Sequence, residues 1–345
     1  MPNDQQLNDW FQERKSRLSE RNAGHLFERI CAGDRTALSA AITLVESKRP
    51  EDRSEANKLL QLCLGLGKKA WRIGITGVPG VGKSTFIEAF GNHILTDKSK
   101  LAILAIDPSS NVSGGSILGD KTRMETLSKL DNVFIRPTAS DSTLGGVARH
   151  TREAIILCEA AGYEVIFVET VGVGQSETIV HSMVDFFLLL MLAGAGDELQ
   201  GMKRGIMEMA DGMIITKADG ENVQKAQWAR REYANALHLF PPKENDWITQ
   251  VHTASSMTKE GFEDIWSNLQ SFFQAMEHSG WINENRMRQE VEVLEEMLRA
   301  LLQSDFFANE DWLAKYHEME SKVKSGEILA YQAAEELFQG FKSNT

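Results

Sequence analysis

The feature that most constrains this chain is a glycine-rich octapeptide placed between a strand-like run and a helix-like run. Residues 77–84 read GVPGVGKS and match the pattern G-x-x-x-x-G-K-S/T. The apolar run 71–76 precedes it, and the run 85–90 that follows favours a helix. Glycines let such a loop curl around an anion with its N–H groups turned inward, and the start of the next helix adds a favourable potential. This context predicts a strand–loop–helix unit that binds the phosphates of a nucleoside triphosphate.

The polar side chains of this loop have predicted tasks. The Lys83 ammonium is expected to reach the β- and γ-phosphates, and the Ser84 hydroxyl is expected to bind Mg²⁺. The residues predicted to surround the phosphates are Gly77, Pro79, Gly80, Val81, Gly82, Lys83, Ser84 and Thr85.

Composition and charge narrow the class of protein. The 345 residues are 42% hydrophobic and 25% charged, which suits a large buried core. A net charge of −12 argues against a nucleic-acid partner, which calls for a basic face. Three isolated cysteines indicate neither a disulfide framework nor a zinc site. The opening 1–6 is unlike a signal peptide, and the apolar run 186–193 is too short to span a membrane. We therefore expect a cytoplasmic protein without a membrane or nucleic-acid partner.

The hydrophobic pattern divides the chain into three predicted regions. Residues 1–70 have helical spacing, with Asp34 as a predicted helix cap. Residues 71–275 alternate short apolar runs with helical stretches, which is typical of βαβ units. The expected fold is α/β, a P-loop NTPase with a mainly parallel sheet flanked by helices and with helical extensions at both ends. The strands are predicted at residues 73–76, 101–106, 133–136, 165–168, 186–192, 213–216 and 248–251.

The C-terminal region 276–345 is predicted to be helical. Met287, Val291, Leu294 and Leu298 follow one another at intervals of 4, 3 and 4 residues, which makes a narrow apolar seam. The seam fits two arrangements equally well. It can belong to a hairpin folded on its own nucleotide domain, or to an arm that pairs with a second subunit.

Acidic residues follow two of the predicted strands, where a triphosphatase needs metal ligands. The strand at 165–168 ends in Glu169, near the expected Mg²⁺, and Gly172 offers a backbone N–H to the γ-phosphate. Asp107 ends the strand at 101–106 and is expected to hold the metal directly or through water. Asp120 lies in a loop rich in serine and glycine, where it suits a metal ligand and a helix cap equally.

A further strand is followed by a candidate base-recognition element. Residues 216–219 read TKAD and resemble the guanine-reading pattern Asn-Lys-x-Asp. Asp219 can accept hydrogen bonds from N1 and N2 of guanine, donors that adenine lacks, and the stem of Lys217 can cover the ring. Thr216 replaces the expected asparagine, which leaves one expected supporting hydrogen bond in question. A second element that looks suited to contact guanine O6 comprises Thr253, Ala254 and Ser255.

These elements, in this order, resemble the MeaB/ArgK family of P-loop GTPases, the chaperones of adenosylcobalamin-dependent acyl-CoA mutases. The likeness runs from residue 33 to residue 337. It is most specific in residues 74–85, 105–110, 169–177 and 194–203.

The resemblance implies roles that spacing and composition do not establish. It implies that the segments of Asp107, Glu169 and Asp197 are mobile switches, and that the third links the nucleotide state to the mutase. It places Asp107, Asp120 and Glu169 around Mg²⁺ and gives Lys203 a part in switch-mediated activation. It also implies GTP or GDP as the bound nucleotide and a homodimer joined by the C-terminal arm. The expected partner is methylmalonyl-CoA mutase, with a cobalamin adenosyltransferase as a further candidate.

The function expected from this resemblance is that of a slow GTPase which gates adenosylcobalamin loading and the removal of damaged cofactor. Slow turnover also follows from the sequence, since no arginine or glutamine is unambiguously placed to orient the attacking water. Gln175 and a residue of the partner are both candidates for that task. A kinase that phosphorylates a transport binding protein and a nucleotide-dependent scaffold are alternatives, because all three share a phosphate loop. The expected catalytic residues are Lys83, Glu169, Gly172 and Lys203.

Overall fold

The structure is a computed structural model, and it divides into two compact units between Asn285 and Arg286. It describes residues 22–95, 100–106, 124–138, 144–170, 176–194 and 204–343. The part of the chain that it describes contains no helix both long and apolar enough to cross a membrane.

The first unit is built on a parallel sheet of seven strands in the order β3-β2-β4-β1-β5-β6-β7. The predicted α/β fold with a parallel sheet is therefore confirmed. The strands are β1 (Trp71–Gly77), β2 (Leu101–Ile106), β3 (Val133–Thr138), β4 (Val165–Thr170), β5 (Phe186–Leu192), β6 (Gly212–Thr216) and β7 (Gln250–Thr253). The last strand begins two residues later than predicted. Every residue of β2 and β4 is buried, as expected for parallel strands covered on both faces.

Helices precede the sheet, alternate with its strands and follow it. The helices of the described part are α1 (Ala23–Cys31), α2 (Arg35–Val45), α3 (Pro50–Leu64), α4 (Lys83–Ile94), α5 (Leu144–Ala160), α6 (Ser176–His181), α7 (Arg204–Met209), α8 (Val223–Leu237), α9 (Phe262–Ser279), α10 (Trp281–Ala308), α11 (Glu310–Lys324) and α12 (Ala330–Ser343).

Helices α1–α3 form one side of the core of the first unit. Leu26, Ile30, Leu38 and Ile42 are at most 1% exposed, and they belong to one apolar cluster with residues of β2, β4 and α5. The predicted cap is confirmed, because the Asp34 carboxylate accepts hydrogen bonds from the N–H groups of the first turn of α2. These helices therefore extend the core beside the sheet and are part of the first unit.

The opposite face of the sheet packs against α4 and α9 through aromatic side chains. The rings of Trp71 and Phe273 stack with centroids 4.4 Å apart, and Phe90 contacts Phe262 edge-on at 5.5 Å. Ile282, just beyond α9, is 6% exposed and belongs to the same cluster. The core of the first unit thus continues past the predicted boundary at residue 275.

The second unit, residues 286–345, has a small aromatic core. The rings of Phe306, Trp312 and Phe341 lie 5.1–6.0 Å apart. Gly340 lets α12 approach this core closely, because a Cβ atom there would lie 2.7 Å from the Trp312 ring.

Candidate nucleotide-binding site

The glycine-rich loop joins the carboxyl end of β1 to the start of α4. Gly82 has a φ of 92°, a left-handed backbone conformation that residues with a Cβ atom rarely adopt. Close packing requires glycine at position 77, because a Cβ atom there would lie 2.5 Å from the Leu190 carbonyl oxygen of β5. The glycines at these two positions therefore answer two different requirements, a backbone turn and a close approach between neighbouring strands.

The Lys83 side chain folds back into the loop. Its Nζ donates a hydrogen bond to the Gly77 carbonyl at 2.8 Å. Burial lowers the pKa of Lys83, and the nearby carboxylates of Glu169 and Glu177 oppose that shift. A phosphate group in the loop would favour the charged lysine further, since an anion close to an ammonium raises its pKa. The position suits the predicted contact with the β- and γ-phosphates.

The predicted metal ligands Ser84 and Glu169 lie side by side. The Ser84 hydroxyl donates to Glu169 Oε1 at 3.3 Å, and Glu169 is 3% exposed. The two strand ends that bring them together are tied by the hydroxyls of Thr76 and Thr170, which are 2.9 Å apart. A hydroxyl and a carboxylate are oxygen ligands of the kind that Mg²⁺ prefers. The described residues contain no cluster of three or more histidine, cysteine or acidic groups for a metal. These two ligands fit Mg²⁺ held partly by phosphates and water.

Several predicted site residues lie outside the described residues. These are Asp107, Asp120, Gly172, Gln175, Asp197 and Lys203.

Thr216 ties the end of β6 to the phosphate loop. Its hydroxyl lies 2.9 Å from the carbonyl oxygen of Val81 and 3.2 Å from that of Met191, so one O–H is shared between two acceptors. Thr216 is 4% exposed, so water does not compete for this buried hydrogen bond. The supporting hydrogen bond that the sequence left in doubt is therefore present, and it runs from the hydroxyl of threonine.

Lys217 crosses the glycine-rich loop from the base-recognition side. Its φ is 56°, in the left-handed region, and Asn222 Nδ2 donates to its carbonyl oxygen at 2.7 Å. The Lys217 ammonium donates to the Gly80 carbonyl at 2.9 Å. The aliphatic stem is thereby stretched along the loop, where it can cover the flat face of a base.

The Asp219 carboxylate is oriented by Ser255. The Ser255 hydroxyl donates to Asp219 Oδ2 and accepts the N–H groups of Met257 and Thr258 at 3.1 Å each. Ser255 is completely buried. Ala254 joins the two elements through the backbone, since its carbonyl accepts the Ala218 N–H at 3.0 Å. The two predicted base-recognition elements are therefore one hydrogen-bonded unit.

The contacts that hold this unit together are not apparent in the sequence. The Thr216–Val81 and Ser255–Asp219 hydrogen bonds join residues 135 and 36 positions apart, so no local pattern predicts them. Glu177, a buried carboxylate close enough to Lys83 to act on its pKa, also lacks a sequence signal. For the Thr216–Val81 bond, the sequence offers one local indication, a threonine at the end of an apolar strand.

Comparisons with known proteins agree with this geometry. A family model described as "Methylmalonyl Co-A mutase-associated GTPase MeaB" matches residues 38–311. The GTPase ArgK of Escherichia coli is 43% identical over 311 residues, 90% of this chain and 94% of that protein. The mitochondrial methylmalonic aciduria type A homolog of Mus musculus is 42% identical over 334 residues, 94% of this chain and 80% of that protein.

A solved structure is similar along the same length. It is described as an LAO/AO transport system kinase, with a TM-score of 0.76 and 36% identity over 93% of this chain and 97% of that one. The phosphate loop, the guanine-type element and these likenesses lead to one assignment. The chain belongs to the MeaB/ArgK family of P-loop GTPases.

Proposed function

We propose that this GTPase is a chaperone of an adenosylcobalamin-dependent acyl-CoA mutase, with methylmalonyl-CoA mutase as the expected partner. It would gate the loading of the cofactor and the removal of damaged cofactor, alone or together with an adenosyltransferase. The observation that carries the proposal is the match of residues 38–311 to a mutase-associated GTPase family. The likeness to a methylmalonic aciduria protein over 94% of the chain supports the same partner.

In this proposal the phosphate loop and its neighbours hold GTP and Mg²⁺. Lys83 balances the charge of the β- and γ-phosphates, and Ser84 and Glu169 hold the metal together with Asp107 and Asp120. When bound, Mg²⁺ would neutralise the charge that develops on the transferred phosphoryl group. Gly172 would donate its N–H to the γ-phosphate. The contact between Ser84 and Glu169 supports the metal assignment.

Guanine selection would rest on Asp219. The Ser255 hydroxyl holds one oxygen of this carboxylate, which fixes the direction of the other. An adenine base brings no donors to that position and would leave the carboxylate without partners. Calorimetric titration should therefore give an ATP affinity at least about 100-fold below that for GTP. Asp219→Asn, which keeps the shape, should shift the preference toward xanthine nucleotides. Equal affinities for GTP and ATP would exclude this base contact.

The proposed homodimer would use the apolar stripe on α10. Met287, Val291, Leu294, Leu298 and Leu301 are each 54–67% exposed. Exposed apolar residues in a row are typical of an interaction surface. The exposure of this stripe favours the arrangement in which the C-terminal arm pairs with a second subunit.

Coupling to the mutase would run through Lys203. Moving a switch requires that the partner bind one nucleotide state better than the other. We expect slow GTP hydrolysis by the protein alone and much faster hydrolysis with the mutase. Lys203→Ala should keep the basal rate and lose most of the stimulation. Lys225→Ala, at an exposed lysine of α8, is the matched control and should be stimulated like the wild type.

Phosphate release measured with and without the mutase tests this coupling. Stimulation of Lys203→Ala equal to that of the wild type would remove Lys203 from the mechanism. The likeness to a structure described as a transport system kinase keeps phosphoryl transfer to protein as the second candidate. Radiolabel that moves from γ-labelled GTP onto a protein acceptor would favour the kinase.

A further inference from the structure

A cavity of about 730 Å³ lies beside the outer strand of the sheet, apart from the nucleotide site. It is lined by residues of α7, α8, β7 and the loop that joins α8 to β7, and it is open to solvent where Arg230 and Arg231 lie. None of the predicted nucleotide-binding residues lines it. Part of its wall is apolar, and that part includes Leu237, Phe240, Ile248 and Val251.

The wall formed by the loop is held in place by hydrogen bonds to the start of β6. The Lys243 ammonium donates to the Ala210 carbonyl at 2.7 Å, and the Thr249 hydroxyl donates to the same oxygen at 2.8 Å. The Trp247 indole N–H donates to the Asp211 carbonyl at 2.9 Å. A loop tied at three points keeps its shape without a ligand, as is usual for small-molecule sites.

The polar part of the lining is cationic. The side chains of Arg230 and Arg231 both line the cavity, and neither guanidinium group has an ion pair or hydrogen bond with any residue that the structure describes. Lys243 is different, because its charge is balanced by the Asp211 carboxylate. Glu208 is the acidic residue of the lining. The chain as a whole has a net charge of −12, whereas these two unpaired guanidinium groups make the charge at the cavity locally positive.

His252 adds a buried polar atom without a partner. It lines the cavity, and its Nε2 is buried and makes no hydrogen bond within the described structure. Burial lowers the pKa of His252, the Asp264 carboxylate opposes this shift, and Arg230 adds to it. A buried ring nitrogen without a hydrogen bond is uncommon in folded proteins, and a bound ligand is one way to satisfy it.

We propose that this cavity binds a small organic anion. The carboxylate or phosphate group of the anion would lie between Arg230 and Arg231, and its apolar part would pack on Leu237 and Phe240. Guanidinium groups match both kinds of oxyanion through paired N–H donors. The cavity volume lies inside the range of about 300–1,000 Å³ typical of small-molecule sites. The proposal does not depend on the identity of the mutase partner.

Binding is tested on the full-length protein saturated with GDP, so that the phosphate loop is already occupied. The probes are phenyl phosphate, phenylacetate and the neutral benzyl alcohol, which share a ring and differ in charge. Saturation-transfer NMR and tryptophan fluorescence measure their affinities. We expect one or both anions to bind at least about tenfold more tightly than benzyl alcohol. The tighter anion identifies the group as phosphate or carboxylate.

Variants locate the site. Arg230→Gln with Arg231→Gln should weaken anion binding at least about tenfold. Lys225→Gln removes a positive charge from the same helix outside the cavity and should leave the affinity unchanged. Unaltered GDP affinity and thermal unfolding establish that each variant is folded.

Three results would overturn the proposal. These are no binding of either anion up to about 10 mM, equal binding of anions and benzyl alcohol, and an arginine double variant that binds like Lys225→Gln. The first two use wild-type protein and hold even if a variant does not fold.

Discussion

The two units of this chain differ in how far their longest apolar patterns are exposed to solvent. In the first unit, long apolar runs are buried completely, and Phe86, Phe90 and Phe167 are each 0% exposed. In the second unit, the apolar stripe of α10 is more than half exposed, as Leu294 at 67% illustrates. The first unit therefore has a sufficient core of its own, whereas the exposed stripe calls for a covering surface. In the proposed homodimer, nucleotide binding and subunit association would therefore have separate structural bases.

The strongest test of this contrast is removal of the second unit. A chain ending at Asn285 keeps Ile282 and its packing, so it should fold, bind GTP and be monomeric. The full-length chain should be a dimer. Light scattering and calorimetry on both forms give mass and affinity. A monomeric full-length chain would exclude the paired arm, and a truncated chain that loses GTP binding would refute the independence of the first unit.

A pair of core and stripe variants sharpens the same contrast. Phe90→Ala removes a fully buried ring from the first unit and should cost about 3–5 kcal/mol of unfolding free energy. Leu298→Ala, at a residue that is 54% exposed, should cost less than about 0.5 kcal/mol in a monomeric sample.

Denaturant unfolding at two protein concentrations separates the effects of this pair. The Leu298→Ala loss should grow when the wild type is dimeric, since a dimer interface adds stability that depends on concentration. A cost for Leu298→Ala that is large and independent of concentration would place this side chain in a monomer core instead.

The sheet could be predicted from the sequence because most of its strands are short runs of consecutive apolar residues. Runs such as residues 101–106 and 186–192 are apolar throughout, and a parallel strand buried on both faces has that composition. The seventh strand was misplaced by two residues because Ile248 looks like a strand residue but is 72% exposed. Its true limits follow from pairing with β6, from Gln250 onward.

The sequence proposes residues for the nucleotide site but does not reveal the contacts between them. The glycine-rich loop has a fixed spacing because its backbone geometry is local. The approach of Gly77 to the Leu190 carbonyl and the bond from Thr216 to Val81 depend on the order of strands, which is not local. Because β6 lies beside β5, the hydroxyl of Thr216 reaches the Val81 carbonyl, a contact that the local sequence does not reveal.

Thr216 therefore supplies a test within the first unit, where buried polar groups should be paired. Thr216→Val keeps the shape and leaves the Val81 carbonyl without this donor, which should cost about 1–3 kcal/mol. We expect weaker guanine nucleotide binding as well, because the base-recognition element and the phosphate loop lose their tie. Thr216→Ser retains the hydroxyl and is the matched control. Calorimetry with GDP and thermal unfolding measure both effects, and a valine variant identical to wild type in both would show that the tie is dispensable.

The smallest expected effect compares one helix cap in each unit. Asp34 caps α2 in the first unit, and Asn309 caps α11 in the second, each by accepting two backbone N–H groups. Replacing either by alanine should cost about 1 kcal/mol near neutral pH. The two differ in charge. Backbone N–H donors, that of Ala37 first, and Arg29 hold the pKa of Asp34 below its ordinary value of 3.8.

The stabilisation by Asp34 is therefore present above the pKa of the unfolded state and is lost as the pH falls through the lower pKa of the folded state. Below about pH 4 the gap between wild type and Asp34→Ala should shrink, because the unfolded state binds the proton first, and the gap is lost fully only when the folded state binds it too. The gap for Asn309→Ala should not change, because an amide does not titrate in this range. Unfolding curves at pH 7, 4 and 3 compare the two. A gap for Asp34→Ala that stays constant across this range would mean that its carboxylate makes the same contribution when protonated, and that the charge of the cap is irrelevant to the first unit.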